Sequence, residues 1–151
     1  MSKKLFFLPA LLLGAMLMFA PACGDSDPCK DVKCGDNGTC FEGACVCDPG
    51  YEQGTTGLCD TESRVKFYGD YNVTETCSPN SSYSSRITAV SDVSKINISN
   101  FGDSNQNVTA TVDGNTFTVA SQTIMVSGNS VTVTGSGSIS GTTVGAVYHR
   151  K

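Results

Sequence analysis

Eight cysteines and one histidine are the residues of this 151-residue chain best suited to chemistry. Six of the cysteines (Cys29, Cys34, Cys40, Cys45, Cys47 and Cys59) crowd together with the spacing C-x4-C-x5-C-x4-C-x-C-x11-C. Thiols at that density either cross-link or hold a metal. A zinc site needs repeated C-x2-C pairs or histidine partners. The cluster has neither, so no metal is expected. His149 stands beside Arg150 and Lys151 and reads as a solvated strand end. Serines are abundant, yet the sequence has no nucleophile elbow and no phosphate loop. A serine or thiol nucleophile needs a base and an orienting acid within reach. Neither is in evidence, so the expectation is a non-enzyme without a cofactor.

The charges divide the chain. Residues 24–60 carry eight acids against two lysines, giving −6, and residues 61–151 carry six acids and six bases, giving zero. The break in charge and cysteine density near Thr61 predicts a domain boundary. A chain this short, divided in two, has no room for a large enzyme core. The overall net charge of −4 argues against a nucleic-acid partner.

The N-terminus carries Lys3 and Lys4, then an apolar run from Leu5 to Ala20 broken by Pro9 and Gly14, then Ala20-Pro21-Ala22-Cys23. A basic start, a short apolar core and small residues at its end predict a signal peptide over residues 1–22. The cysteine directly after Ala22 resembles the lipobox of bacterial lipoproteins. The resemblance implies that Cys23 is acylated and becomes the first residue of the mature chain. The family prefers Leu three residues before that cysteine, where Ala20 stands, and Pro21 is unusual. The rivals are an ordinary secretory signal with Cys23 free to pair, or an uncleaved anchor near the lower limit of ~18 apolar residues. Acyl chains at ~0.8 kcal/mol per buried CH₂ would hold the protein on a membrane almost permanently. Gly24 occupies the place where Asp resembles an inner-membrane retention signal, which favours the outer membrane. Asp25 and Asp27 resemble acidic surface-export signals, or serve as a solvated tether over residues 23–28.

A piece of about 37 residues cannot bury enough apolar surface to fold without staples. Six cysteines allow 15 pairings. The close Cys45-Val46-Cys47, the following Asp48-Pro49-Gly50-Tyr51 and Gly57 before Cys59 resemble an EGF-like domain over residues 29–60. The resemblance implies the pairs Cys29–Cys40, Cys34–Cys45 and Cys47–Cys59, with two short hairpins. Another small disulfide knot is the rival. Many members of that family bind calcium. Asp25 and Asp27 fit the family's first two acids, but Pro28 and Glu42 stand where it wants other residues and the later aromatic is absent. Calcium needs six to eight oxygen ligands, so none is expected here.

Residues 64–150 change texture. Apolar residues alternate with polar ones through Val65, Phe67, Tyr71 and Val73, then Tyr83, Ile87 and Ala89, and onward to Val144, Ala146 and Tyr148. That period predicts strands with one buried face. Turn residues recur about every ten positions, among them Pro79-Asn80, Asp113-Gly114, Gly128-Asn129 and Gly141. The expectation is an all-β antiparallel meander of seven or eight strands, either a sandwich or a small up-and-down barrel. It resembles the short β domains of bacterial surface lipoproteins. Tyr68-Gly69-Asp70-Tyr71 is also similar to the Gly-x-Trp start of lipocalins, with Tyr for Trp. That implies a carrier of a small apolar ligand, with a cavity lined by Tyr71, Ile87, Ile98, Val112 and Phe117.

Cys77 is the odd thiol. It reads as a free, core-facing cysteine behaving as a small hydrophobe, with a reactive surface thiol or a pair with Cys23 as alternatives. Five Asn-x-Ser/Thr sequons begin at Asn37, Asn72, Asn80, Asn97 and Asn107. They would suggest glycans in a eukaryotic adhesion fragment and arise by composition in a bacterial chain. The reading is a bacterial surface lipoprotein with a binding or structural role. Its partners are the membrane, through the lipid, and a protein or glycan.

Overall fold

The computed structural model describes residues 27–76 and 81–151. The signal segment over residues 1–22, Cys23, Asp25 and Cys77 lie outside the described residues.

The cysteine-rich region holds two short hairpins. Strands β1 (Gly38–Phe41) and β2 (Ala44–Cys47) pair antiparallel. Glu42 and Gly43 join them, both at positive φ, the backbone that a two-residue hairpin turn demands. Strands β3 (Tyr51–Gln53) and β4 (Cys59–Glu62) form the second hairpin. Three disulfides cross-link the region, Cys29–Cys40, Cys34–Cys45 and Cys47–Cys59, the same pairs that the EGF-like resemblance implies. A 3₁₀ helix over Ser63–Phe67 leads out of it.

The rest is one seven-stranded antiparallel meander curled into a half-barrel. Its strands are β5 (Gly69–Glu75), β6 (Ser81–Ala89), β7 (Lys95–Ile98), β8 (Val108–Asp113), β9 (Thr116–Val126), β10 (Asn129–Ser140) and β11 (Thr143–Arg150). They lie side by side in chain order, with β5 and β11 at the two edges. A short 3₁₀ turn over Phe101–Asp103 follows β7.

The strand alternation places Ile87, Ile96, Ile98, Val108, Ala110 and Val112 on the concave face, where they are buried with Phe67. Along β9 the buried positions change parity, from Phe117 and Val119 to Ile124. The cause is a bulge opposite Val133 and Gly135, where the β9–β10 register shifts and an extra residue turns the following side chains over. Beyond Thr118, β9 leaves β8. The Gln122 side chain carries the ladder on, donating to Thr109 O at 2.6 Å and accepting from Thr109 N–H at 2.9 Å.

Val65 and Phe67 were expected on a strand with Tyr71 and Val73, and this is corrected. They lie on the 3₁₀ helix, which exposes Val65 and buries Phe67 completely. A strand would turn both to one face. The helical turn separates them, so that Phe67 enters the mouth of the half-barrel and meets the Phe117 ring edge-on, 5.8 Å between centroids. Gly137 makes room for this packing, because a Cβ there would strike the Phe117 ring.

Candidate functional site

Three places bring polar or exposed apolar side chains together: the tip of the disulfide region, its joint with the half-barrel, and the seam between the two sheet edges.

At the tip, the β1–β2 register sets Thr39 opposite Val46 and Phe41 opposite Ala44. Opposed residues share a face, so these four lie together, while Cys40 and Cys45 point the other way into their disulfides. All four are exposed, Phe41 at 64% and Val46 at 52%. Glu42 stands in the turn beside Phe41, and Asp31, Asp36 and Asp48 are exposed in the same region. Apart from Thr39 the face is apolar, and its surround is acidic.

The joint is built by residues 63–66. The Ser63 N–H donates to Gly50 O at 2.9 Å. Lys66 Nζ lies 2.6 Å from Glu52 and donates to Asn115 at 2.9 Å. Arg64 is only 8% exposed. Its guanidinium donates to Val90 O at 2.6 Å, Asp92 O at 2.9 Å and Glu62 Oε2 at 2.9 Å. The Glu62 hydrogen bond raises its pKa against the opposing effect of burial. Gly50, at φ +92°, packs so close to Ser94 that a Cβ would sit 2.8 Å from its nitrogen. Between the two parts runs a half-open cleft of about 370 Å³, lined by Asp48, Pro49, Tyr51, Ser94, Val112 and Asp113 among others.

At the seam, Glu75 at the end of β5 accepts hydrogen bonds from Tyr148 of β11, from Tyr83 at 2.9 Å and from Ser81 at 3.1 Å. Arg150 donates to Gly102 O and, at 3.1 Å, to the Tyr148 hydroxyl. Phe101 packs on the Tyr148 ring at 4.8 Å. Burial pushes the Glu75 carboxyl up, but the three hydroxyls and the nearby Arg150 together hold it below the usual carboxylate range. Burial, and then the Glu75 carboxylate, push the Tyr83 hydroxyl above the ordinary tyrosine range. Side chains, not ladder hydrogen bonds, thus tie the two sheet edges together at this end.

Of the remaining residues singled out from sequence, Asp27 accepts the Cys29 N–H at 2.9 Å and so caps a local turn. Among the described residues no group of three or more His, Cys, Asp or Glu gathers to hold a metal. Ile87, Ile98, Val112 and Phe117 are buried in the core around Phe67, with Tyr71 packed on its margin and donating to Phe67 O at 2.8 Å. Sequence reading missed Arg64 and Glu75, and took Tyr83 and Tyr148 as apolar strand positions without their hydroxyl contacts to Glu75. Arg64 left one signal, a charge at the head of an alternating apolar run; Glu75 left none. No known protein family, curated protein or solved structure matches the chain.

Proposed function

We propose that this is an exported, lipid-anchored bacterial surface protein whose role is binding or structural, not catalytic. Cys23 carries the lipid and holds the chain on the outer membrane. Residues 29–60 form an EGF-like module that acts as a protein-contact surface or a hard spacer. The observation that carries the reading is the exposed Phe41–Val46 face on a hairpin pinned from behind by two disulfides. Burying an apolar face of this kind against a partner costs little ordering entropy, because the cross-links have already fixed it. Three disulfides suit an oxidising compartment, which an exported chain reaches. The acidic surround favours a partner with basic character and repels an anionic lipid surface, keeping the module turned outward.

The test is the intact mass of the native protein from the membrane fraction, with thiols alkylated before any reduction. Acyl mass on Cys23, three disulfides and one alkylated thiol at Cys77 are expected. No acyl mass and no free thiol would remove the anchor and point to a fourth disulfide between Cys23 and Cys77.

A further inference from the structure

From Gly114 to Tyr148 the sequence has no Asp, Glu, Lys or Arg. The stretch covers all of β9 and β10 and most of β11, an edge strand whose backbone ladder runs to β10 and whose Tyr148 side chain reaches Glu75 of β5. Native proteins blunt sheet edges with charge, proline, bulges or a covering loop. The β5 edge follows that rule, with Asp70 ion-paired to Arg86 at 2.5 Å and Glu75 at its end. The β11 edge does not, since residues 143–147 hold no charge and no proline and their register with β10 is unbroken.

The ladder fixes which groups face outward. Thr132 and Lys151 exchange both backbone hydrogen bonds, each at 2.9 Å. In an antiparallel pair, hydrogen-bonded and non-hydrogen-bonded residues alternate. Counting back through the β10–β11 register, Val147, Gly145 and Thr143 bond to β10. The N–H and C=O groups of Val144 and Ala146 therefore point away from it, toward the free edge. On the convex face Val147 is 67% exposed. Two residues earlier, a Cβ added to Gly145 would meet nothing within 4 Å.

We infer that the β11 edge is a pairing surface for a second copy of this chain, antiparallel about a two-fold axis at Ala146. In that register Ala146 exchanges its two edge hydrogen bonds with Ala146 of the second copy. Val147 of each copy then lies over Gly145 of the other, filling the space that the missing Cβ leaves. Arg150 falls opposite Thr142, so no like charges meet. A parallel pairing would instead set the basic ends at Arg150 and Lys151 side by side. The interface is isologous, closes on itself and extends the meander into a continuous fourteen-stranded sheet. It is small, at the weak end of specific interfaces, so the pairing is sensitive to concentration on a surface.

Disulfide trapping in the producing cells tests it without purification. Ala146→Cys sets two thiols across the axis, and Thr88→Cys, exposed on β6, is the control. The expected result is a reducible dimer from Ala146→Cys well above that from Thr88→Cys and from the unsubstituted chain. Adding Val147→Lys, at an exposed position, should lower the dimer severalfold by removing the Val–Gly contact. No excess dimer from Ala146→Cys, or a dimer indifferent to Val147→Lys, would overturn the inference.

Discussion

Between Cys29 and Cys59 the buried apolar side chains are Cys34 and Cys59, whereas thirteen buried side chains from Phe67 to Ile139 make one core in the half-barrel. The first region closes three loops of 11 or 12 residues by disulfide. Cross-links of that size contribute about 3 kcal/mol each, chiefly by restricting the unfolded chain. The second draws on burial, at about 25 cal/mol per Å² of apolar surface removed from water. The difference governs where function can sit. A region held from behind by disulfides is free to expose Phe41 and Val46, while a region held by its core turns most of its apolar side chains inside and leaves Met125 and Val147 exposed.

The comparison breaks or sharpens under substitution. Phe67→Ala empties the mouth of the half-barrel and should cost about 3–5 kcal/mol. Urea unfolding followed by hydrogen exchange should show the loss in β6–β10, with β1–β2 unaffected. Replacing Cys47 and Cys59 by Ala should cost about 2–5 kcal/mol, read as proteolysis confined to residues 29–62. Arg64→Ala removes the guanidinium from the Val90 and Asp92 carbonyls, leaving Asp92 O with the Lys95 N–H as its donor. It should cost about 2–3 kcal/mol and, alone among these changes, lower protection in both regions.

The smallest effect is at the seam. Glu75→Gln should cost about 1 kcal/mol at neutral pH, a hydrogen bond to a charged group discounted for its partial exposure. The folded carboxyl titrates below its ordinary value. Its contribution is therefore present above about pH 4.3 and is lost as the pH falls through the lower folded value. The urea midpoints of the two proteins should differ at pH 7 and draw together as the pH falls below the ordinary carboxylate range.

The strands were legible because one-sided burial writes itself into every second residue, and the turns because Gly and Asn mark them. The change of parity between Val119 and Ile124 was legible too, once a bulge is allowed. The 3₁₀ helix was not, since Val65 and Phe67 have strand spacing and only tertiary packing separates them. The seam was equally hidden. Glu75 and Tyr148 are 73 residues apart, and nothing local to either marks the other. At the tip, Phe41 and Val46 each follow a cysteine directly. A residue next to a disulfide cysteine on a strand must face away from the bond, so that surface could have been read from the spacing.

The most direct test of two regions held by different means is hydrogen exchange of the native chain before and after reduction of its disulfides. Protection should vanish across residues 29–62 and persist through Lys95–Ile98, Val108–Asp113 and the paired parts of Thr116–Ser140. Loss of protection in both regions together, or its survival in both, would contradict the account.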